Sequence, residues 1–493
     1  MRRNLFRLLS LLLILMLLFA CFPAHSVGDE AKKEESAAPQ ENENASPVIG
    51  YVYTPTNYIY RIKASDGKEF VIKPPKIYGN EPNLTCNTAL LFESTSNQLI
   101  FAKDPDKRIF PASTTKLMTA LLAVENCRLD EIVTVTKSAL SQVPKSSSLA
   151  GLKADEKMTM ENMLKCLLVP SGNDAANVIA EHVSGSVDAF VELMNKRSAE
   201  LGCKDTNYRN PSGFHDEDHY TTALDLLVVT LEACKYPAIT EICAAAQVSV
   251  PANDVVKEER YFNNTNFLIS RHKVSDYIYN HATGLKTGST TPAGQCLVAT
   301  AEKGDMKLIS IVMGAQNDTS GKQIKLTHFS ESRKLLEWGF NNFVRKELVS
   351  TSQVLAEVKV ELAMDKDYVV LHPTKSVSEL MHRYEKPDTA DVKLKLEESI
   401  TAPVEKGTVL GTATITYNNK EYGTVDLVAM NDVQLSEVLY YINEAEEAIK
   451  QDWVKVTFKY AIIVLAVFIV YMIIYNIYRK KKAEKARRKR RYR

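Results

Sequence analysis

The 493-residue sequence has no Cys-x-x-Cys pair among its eight cysteines, and no His spacing of the kind that builds a zinc site. His215 and His219, four apart with acids between them, come nearest to a metal pair. Pro211 and Gly213 place them in a loop, and no third ligand accompanies them. Cys166 and Cys296 lie in apolar runs and read as small core residues. A chain of this length has no need of disulfides to hold a core. The body carries no net positive charge. The net charge is +1, yet Arg479–Arg493 alone holds eleven Lys or Arg and one Glu, and Arg2, Arg3 and Arg7 add three more. The chain between therefore carries about −12, which argues against a body-wide nucleic-acid surface. Long apolar runs are scarce too, and both lie near the ends.

The first run, Leu8 to Phe19, follows the three arginines and is too short to span a bilayer comfortably. Residues 1–26 read as an export signal, with Ala24-His25-Ser26 as a small-x-small cleavage site. A second reading of the same stretch is a lipoprotein box, Leu18-Phe19-Ala20-Cys21, with Cys21 lipidated. The second run, Tyr460 to Tyr478, is broken only by Asn476 and is long enough to span. The basic tail, 479–493, comes directly after it, which places that tail in the cytoplasm and the body outside.

Between these ends the pattern divides the chain. Residues 27–80 begin as a polar linker rich in Glu, Lys, Ala, Asn and Ser. They end as a short β-rich extension in which Tyr51, Tyr53, Tyr58 and Tyr60, then Phe70-Val71-Ile72, suggest two strands. Residues 81–345 are mixed α and β. Ala89–Phe92 and Gln98–Phe101 flank a polar turn as a hairpin. Met160, Met163, Leu164, Leu167 and Leu168 keep helical spacing up to Pro170. Leu297–Thr300 and Leu308–Met313 read as antiparallel strands, and a helix near Arg333–Phe343 comes next. Residues 346–431 alternate with period two at Ala356–Leu362, Val392–Leu396 and Thr412–Tyr417, the mark of half-buried strands. Residues 432–459 read as a linking helix, centred on Leu435–Trp453, and residues 460–478 as a transmembrane helix.

Three short motifs carry chemistry. Pro111-Ala112-Ser113-Thr114-Thr115-Lys116 opens an apolar helix. Residues three apart share a helix face, so the Ser113 hydroxyl and the Lys116 amine can meet. A serine is a weak nucleophile until a base takes its proton, and a lysine serves once burial or a nearby cation lowers its pKa. Two other Ser-x-x-Lys matches, Ser65 to Lys68 and Ser270 to Lys273, open no such helix. Ser171-Gly172-Asn173 lies in a turn between helices, and Lys286-Thr287-Gly288-Ser289 begins a strand.

This ordered trio is the one shared by penicillin-binding proteins and class A β-lactamases. From Thr85 to Met430 the chain resembles the low-molecular-mass penicillin-binding D-alanyl-D-alanine carboxypeptidases, the penicillin-binding protein 5 type. Asn210-Pro211-x-Gly213, His219-Tyr220-Thr221-Thr222-Ala223-x-Asp225 and Ala293-Gly294-x-Cys296 are similar to that family's pattern, as is Ala402-Pro403-Val404-x-Lys406-Gly407 in the C-terminal domain. The resemblance implies an α/β (α+β) penicillin-binding/β-lactamase-like catalytic domain with an antiparallel sheet and helices. A smaller all-β C-terminal domain and the one C-terminal transmembrane helix complete it. It implies Ser113, Lys116, Ser171 and Asn173 as catalytic residues, and Lys286, Thr287, Gly288 and Ser289 as substrate-binding ones. Ser171 would relay a proton to the leaving amine. The backbone N–H groups of Ser113 and Ser289 would form the oxyanion hole. The implied partners are a peptidoglycan stem peptide ending in D-Ala-D-Ala and β-lactam antibiotics, with the lipid bilayer engaged by residues 460–478. No metal or organic cofactor is called for. The chain departs from the family in two places. A spanning segment replaces the usual surface-lying amphipathic helix. Ala315 to Lys325 offers only Lys322 and Lys325 where some members carry an arginine for the substrate carboxylate, which leaves Thr287 and Ser289 as candidates. The rival readings are a β-lactamase, for which the loop region after Ser171, Asn207 to His219, holds no Glu-x-x-x-Asn, and a non-catalytic wall-binding protein, which would not need both Ser113 and Lys116.

Overall fold

The computed structural model describes residues 51–54, 59–63, 69–73, 75–272, 275–321, 324–387 and 389–491. The expected signal, the linker to residue 50, Cys21, Ser65, Lys68, Lys273 and Lys322 lie outside them.

The centre is a five-stranded antiparallel sheet. Its spatial order is Ala282–Thr290, Gly294–Lys303, Met306–Ala315, Thr88–Glu93 and Gln98–Lys103. Chain segments some 200 residues apart thus meet in one sheet, with Ile311 paired to Leu90 and Val312 to Ala89. Successive side chains in a strand point to opposite faces. Leu90 and Phe92 enter one core with Val298, Ile309 and Ile311. Ala89 and Leu91 enter another with Leu297, Ala299 and Leu308. Both faces are covered, so these strands are apolar throughout rather than alternating. The first face holds the helices Lys116–Asn126, Met160–Leu168, Asn173–Ser184 and Ala223–Ala233. The second is covered by the helix Thr327–Asn342 through Phe329, Leu335 and Leu336. That helix starts six residues before the expected Arg333. Its N-cap position, Leu326, makes no side-chain cap, so no start signal marks it.

Three further differences from the sequence reading are local. The Val48–Gly79 region forms three strands, Tyr51–Thr54, Ile59–Lys63 and Glu69–Ile72, in an antiparallel meander instead of two. The second domain is a six-stranded sheet that includes Ala356–Glu361, Asp391–Leu396 and Val409–Tyr417. Val358, Val360, Ala413 and Ile415 are buried in its core as the alternation requires. Asp391–Leu396 is an edge strand, and Leu394 on it is 42% exposed. The segment expected as one helix over Leu435–Trp453 is Glu437–Lys450, capped by the Ser436 hydroxyl. It ends before Gln451, which is extended, and a second helix runs unbroken from Asp452 to Arg491. That helix is long and apolar enough to cross a membrane. It carries the basic tail as its final turns, because Lys and Arg are good helix formers.

The Glu93 side chain, fully buried, ties the central sheet to the strand Phe343–Val349 at the start of the second domain. Its carboxylate accepts from Ser96 N at 2.7 Å and Lys307 N at 3.2 Å. It also accepts from the guanidinium of Arg345, on that strand, at 2.9 Å. Burial alone would push its pKa up; the Ser96 and Lys307 hydrogen bonds and Arg345 hold it below the ordinary value. A depressed folded-state pKa adds stability that is present above the unfolded value and lost as pH falls through the folded one. Glu93→Ala is expected to cost about 1–3 kcal/mol in urea unfolding at neutral pH, since it leaves the Ser96 and Lys307 N–H groups without their acceptor and Arg345 with only the exposed Asp305, 3.3 Å away. The gap between variant and parent should narrow in acid. A gap independent of pH would show that the carboxylate charge is not what matters.

Candidate active site

The first motif opens in a 3-10 turn, Ala112–Thr115, which passes directly into the α-helix Lys116–Asn126. In a 3-10 turn residues i and i+3 eclipse. Ser113 and Lys116 therefore stand one above the other, and Lys116 Nζ donates to Ser113 Oγ at 2.9 Å. Leu117, Met118, Leu121 and Leu122 are fully buried in the core, which fixes the axis of the helix and its start.

The second motif comes from the turn after Met160–Leu168. Asn173 begins its helix, and its Oδ1 accepts from Lys116 Nζ at 2.7 Å. Asp174, the next residue, accepts from Ala150 N, Gly151 N and Leu152 N at 2.9–3.0 Å, and Asn173 N donates to Ser148 O. These bonds pin the 148–152 loop over the motif. The third motif lies on the sheet-edge strand Ala282–Thr290. Lys286 Nζ donates to Ser171 Oγ and to Thr287 O, each at 3.0 Å. So Asn173 attends Lys116 and Ser171 attends Lys286. Thr287 Oγ1 lies 2.7 Å from Thr265 Oγ1, and Ser289 Oγ accepts from Gln295 Nε2 at 2.9 Å. Gly288 brings this strand against the Ser113 turn: a Cβ there would stand 3.0 Å from Pro111 O and Ser113 N. All eight residues singled out in the sequence thus lie on three segments that converge on Ser113. Lys325 instead pairs with Asp318 at 3.5 Å.

The sequence reading missed the third partner of Lys116. Its Nζ donates to the Ser212 carbonyl at 2.6 Å. The Asn210-Pro211-x-Gly213 motif exists to present that carbonyl. Asn210 Oδ1 accepts from the backbone N–H of Ser212, Gly213 and Phe214, folding the loop around itself. Gly213 has φ +77°, and a Cβ there would fall 1.8 Å from Ala112 O, so only glycine lets the loop close on the Ser113 turn. Thr119 Oγ1 donates to Pro211 O, and His219 Nε2 lies 3.0 Å from Thr115 Oγ1. Burial pushes the His219 imidazole down to about 4, so it is neutral there and ties the loop down. Such carbonyl and loop contacts leave only a short polar motif as a signal.

Both lysines are completely buried. Burial, and then the Lys286 ammonium, push Lys116 well below its ordinary pKa. Burial pushes Lys286 down to about 8. A lysine driven toward the neutral form and hydrogen-bonded to a serine is a general base in position. A second lysine beside it, still charged at neutral pH, supplies positive potential.

The model of the family described as D-alanyl-D-alanine carboxypeptidase matches residues 76–317. A D-alanyl-D-alanine carboxypeptidase of Bacillus subtilis, DacF, is 30% identical over 372 residues, 75% of this chain and 90% of that protein. The chain belongs to this family. The C-terminal domain of penicillin-binding protein 5 matches residues 343–435. Another member, DacA of Haemophilus influenzae, is 29% identical over 395 residues, 76% of this chain and 90% of that protein. The crystal structure of penicillin-binding protein 5 from Haemophilus influenzae is 29% identical and covers 72% of this chain and 99% of its own, with a TM-score of 0.51. The family therefore accounts for both the mixed catalytic domain and the all-β domain after it. Neither match reaches the helix that begins at Asp452.

The two lysine shifts give a pH profile. The second-order rate constant for acylation by benzylpenicillin should rise as Lys116 loses its proton. It should fall above about pH 8 as Lys286 loses its own. Lys286→Arg should keep its charge and carry the alkaline limb to higher pH. An alkaline limb that stays in place in that variant would assign the titration to another group.

Proposed function

We propose that this protein is a serine-type D-alanyl-D-alanine carboxypeptidase that removes the terminal D-alanine from peptidoglycan stem pentapeptides. The observation that carries this reading is the 2.9 Å contact between Ser113 Oγ and the buried, depressed-pKa amine of Lys116. Ser113 attacks the carbonyl between the two D-alanines and passes its proton to neutral Lys116. Oxygen charge develops on the former carbonyl beside the backbone N–H groups of Ser113 and Ser289, a contribution worth about 2.7–4 kcal/mol per donor. Ser171 relays a proton to the departing amine, D-alanine leaves, and water releases the acyl group from Ser113. Lys286 attracts the substrate carboxylate, and Thr287 and Ser289 are the hydroxyls placed to bond it. Penicillin enters by the same attack and stays as an ester on Ser113.

Ser113→Ala should abolish both D-alanine release from a pentapeptide ending in D-Ala-D-Ala and covalent penicillin labelling, with the fold retained. Lys116→Ala keeps the hydroxyl but loses its base, and acylation should slow by about 10²–10⁴-fold. A penicilloyl mass mapped to another serine would refute the assignment. Rapid turnover of penicillin without release of D-alanine would make the protein a β-lactamase.

The same reading places the protein in the cell membrane through residues 460–478, with the catalytic domain on the wall side and the basic tail in the cytoplasm. Its support is the long apolar helix that ends in Lys and Arg. Protease added to intact cells should remove the body and spare the tail; a body protected in intact cells would reverse the orientation.

A further inference from the structure

At the far end of the two catalytic helices stands a cluster that the proposed reaction does not use. Cys127 closes the helix Lys116–Asn126, and its N–H donates to Ala123 O at 2.9 Å. Glu131 ends the next turn, closed by Glu131 N to Arg128 O at 3.1 Å. That turn is pinned to the start of Met160–Leu168, where Met160 N donates to Glu131 O and Glu161 N to Leu129 O. His182 sits in the last turn of the helix that Asn173 begins. The Cys127 sulfur, a Glu131 carboxylate oxygen and a His182 ring nitrogen all lie within 4.8 Å of one another.

We propose that Cys127, Glu131 and His182 form a zinc site that clamps the helix carrying Lys116 to the helix carrying Asn173. The donor set is one thiolate, one imidazole and one carboxylate, a mixture that suits Zn²⁺ and is poor for Mg²⁺ or Ca²⁺. Zinc bonds of about 2.0–2.3 Å place tetrahedral ligand atoms about 3.3–3.6 Å apart. The cluster must draw in by roughly an ångström, and the 2.8 Å contact of His182 Nε2 with Glu131 Oε1 must open slightly to admit the ion. The entry path is open, for the Glu131 side chain is 41% exposed and His182 22%. Solvent supplies the fourth ligand. Cys127 lies eleven residues from Lys116, about 16 Å along the helix, so the ion acts on the alignment of the two helices and takes no part in bond-making. Spacing rules do not find such a site, because its third ligand is 51 residues from its second and on another helix.

The test uses the full chain in detergent micelles. Equilibrium dialysis against Zn²⁺ should give one ion per chain. Glu131→Gln and His182→Asn should each weaken binding by at least about tenfold, no less than the loss of an outer-shell partner costs. With Co²⁺ as the probe, the parent should show a thiolate-to-cobalt charge-transfer band that Cys127→Ser lacks. Zn²⁺ should raise the Tm of the parent and not of the variants. Penicillin labelling reports folding in each variant. Should Cys127→Ser fail to label, the two substitutions at the more accessible positions, Glu131 and His182, decide. Zinc binding unchanged by Glu131→Gln and His182→Asn, or a parent cobalt spectrum without a thiolate band, would overturn the site.

Discussion

The site depends on keeping one amine dry. Lys116 is fully buried, and its three partners, the Ser113 hydroxyl, the Asn173 amide oxygen and the Ser212 carbonyl, are all uncharged. A buried ammonium with no contacting anion is costly, and the cost falls on the charged form. Lys286, the second buried lysine, adds repulsion in the same direction. Asp174 works the other way, yet its carboxylate is spent on the N–H groups of the 150–152 loop. A base made this way needs no histidine. It needs surroundings that exclude water, and the fold leaves Lys116 with no exposed surface.

This requirement explains why distant parts of the chain must meet. The Ser113 turn, the Ser171 turn and the Lys286 strand belong to three elements separated by long intervals. The central sheet joins them by pairing the first strand of the domain with one of its last. Glycine at position 288 lets the sheet edge press on the Ser113 turn. Thr265, just after the strand Arg260–Asn263, meets Thr287 through its hydroxyl at 2.7 Å. The chemistry is thus a property of the tertiary fold, while each motif by itself is only a local turn.

The sequence revealed what local rules encode. Helical spacing identified Met160–Leu168, period two over Thr412–Tyr417 identified most of the strand Val409–Tyr417, and the apolar run over 460–478 lies within the long C-terminal helix. The Ser-x-x-Lys spacing put Ser113 and Lys116 on one face, and burial lowered the pKa of the lysine. What stayed hidden has no local code. Ser212 contributes a backbone carbonyl, which any residue possesses. Leu326 starts a helix without a capping side chain, and Gln451 interrupts one without Gly or Pro. Cys127, Glu131 and His182 share no motif and meet only because two helices end side by side.

Two strained residues show where the fold puts rigidity to use. Ala112 at φ +48° precedes Ser113, and Ser171 at φ +63° opens the second motif. A non-glycine residue in this region costs of order 1–3 kcal/mol, and persists only where its surroundings over-determine it. Those surroundings are visible. Gly213 packs on the Ala112 carbonyl, Thr119 holds Pro211, and His219 holds Thr115. On the other side Lys286 holds the Ser171 hydroxyl and Asp174 holds the neighbouring loop. Relaxing either residue to an ordinary conformation would swing Ser113 away from Lys116 or Ser171 away from Lys286. The strain is therefore tied to position. The bonds that offset it are the ones that keep the nucleophile, the amine and the second hydroxyl within hydrogen-bond reach before any substrate arrives.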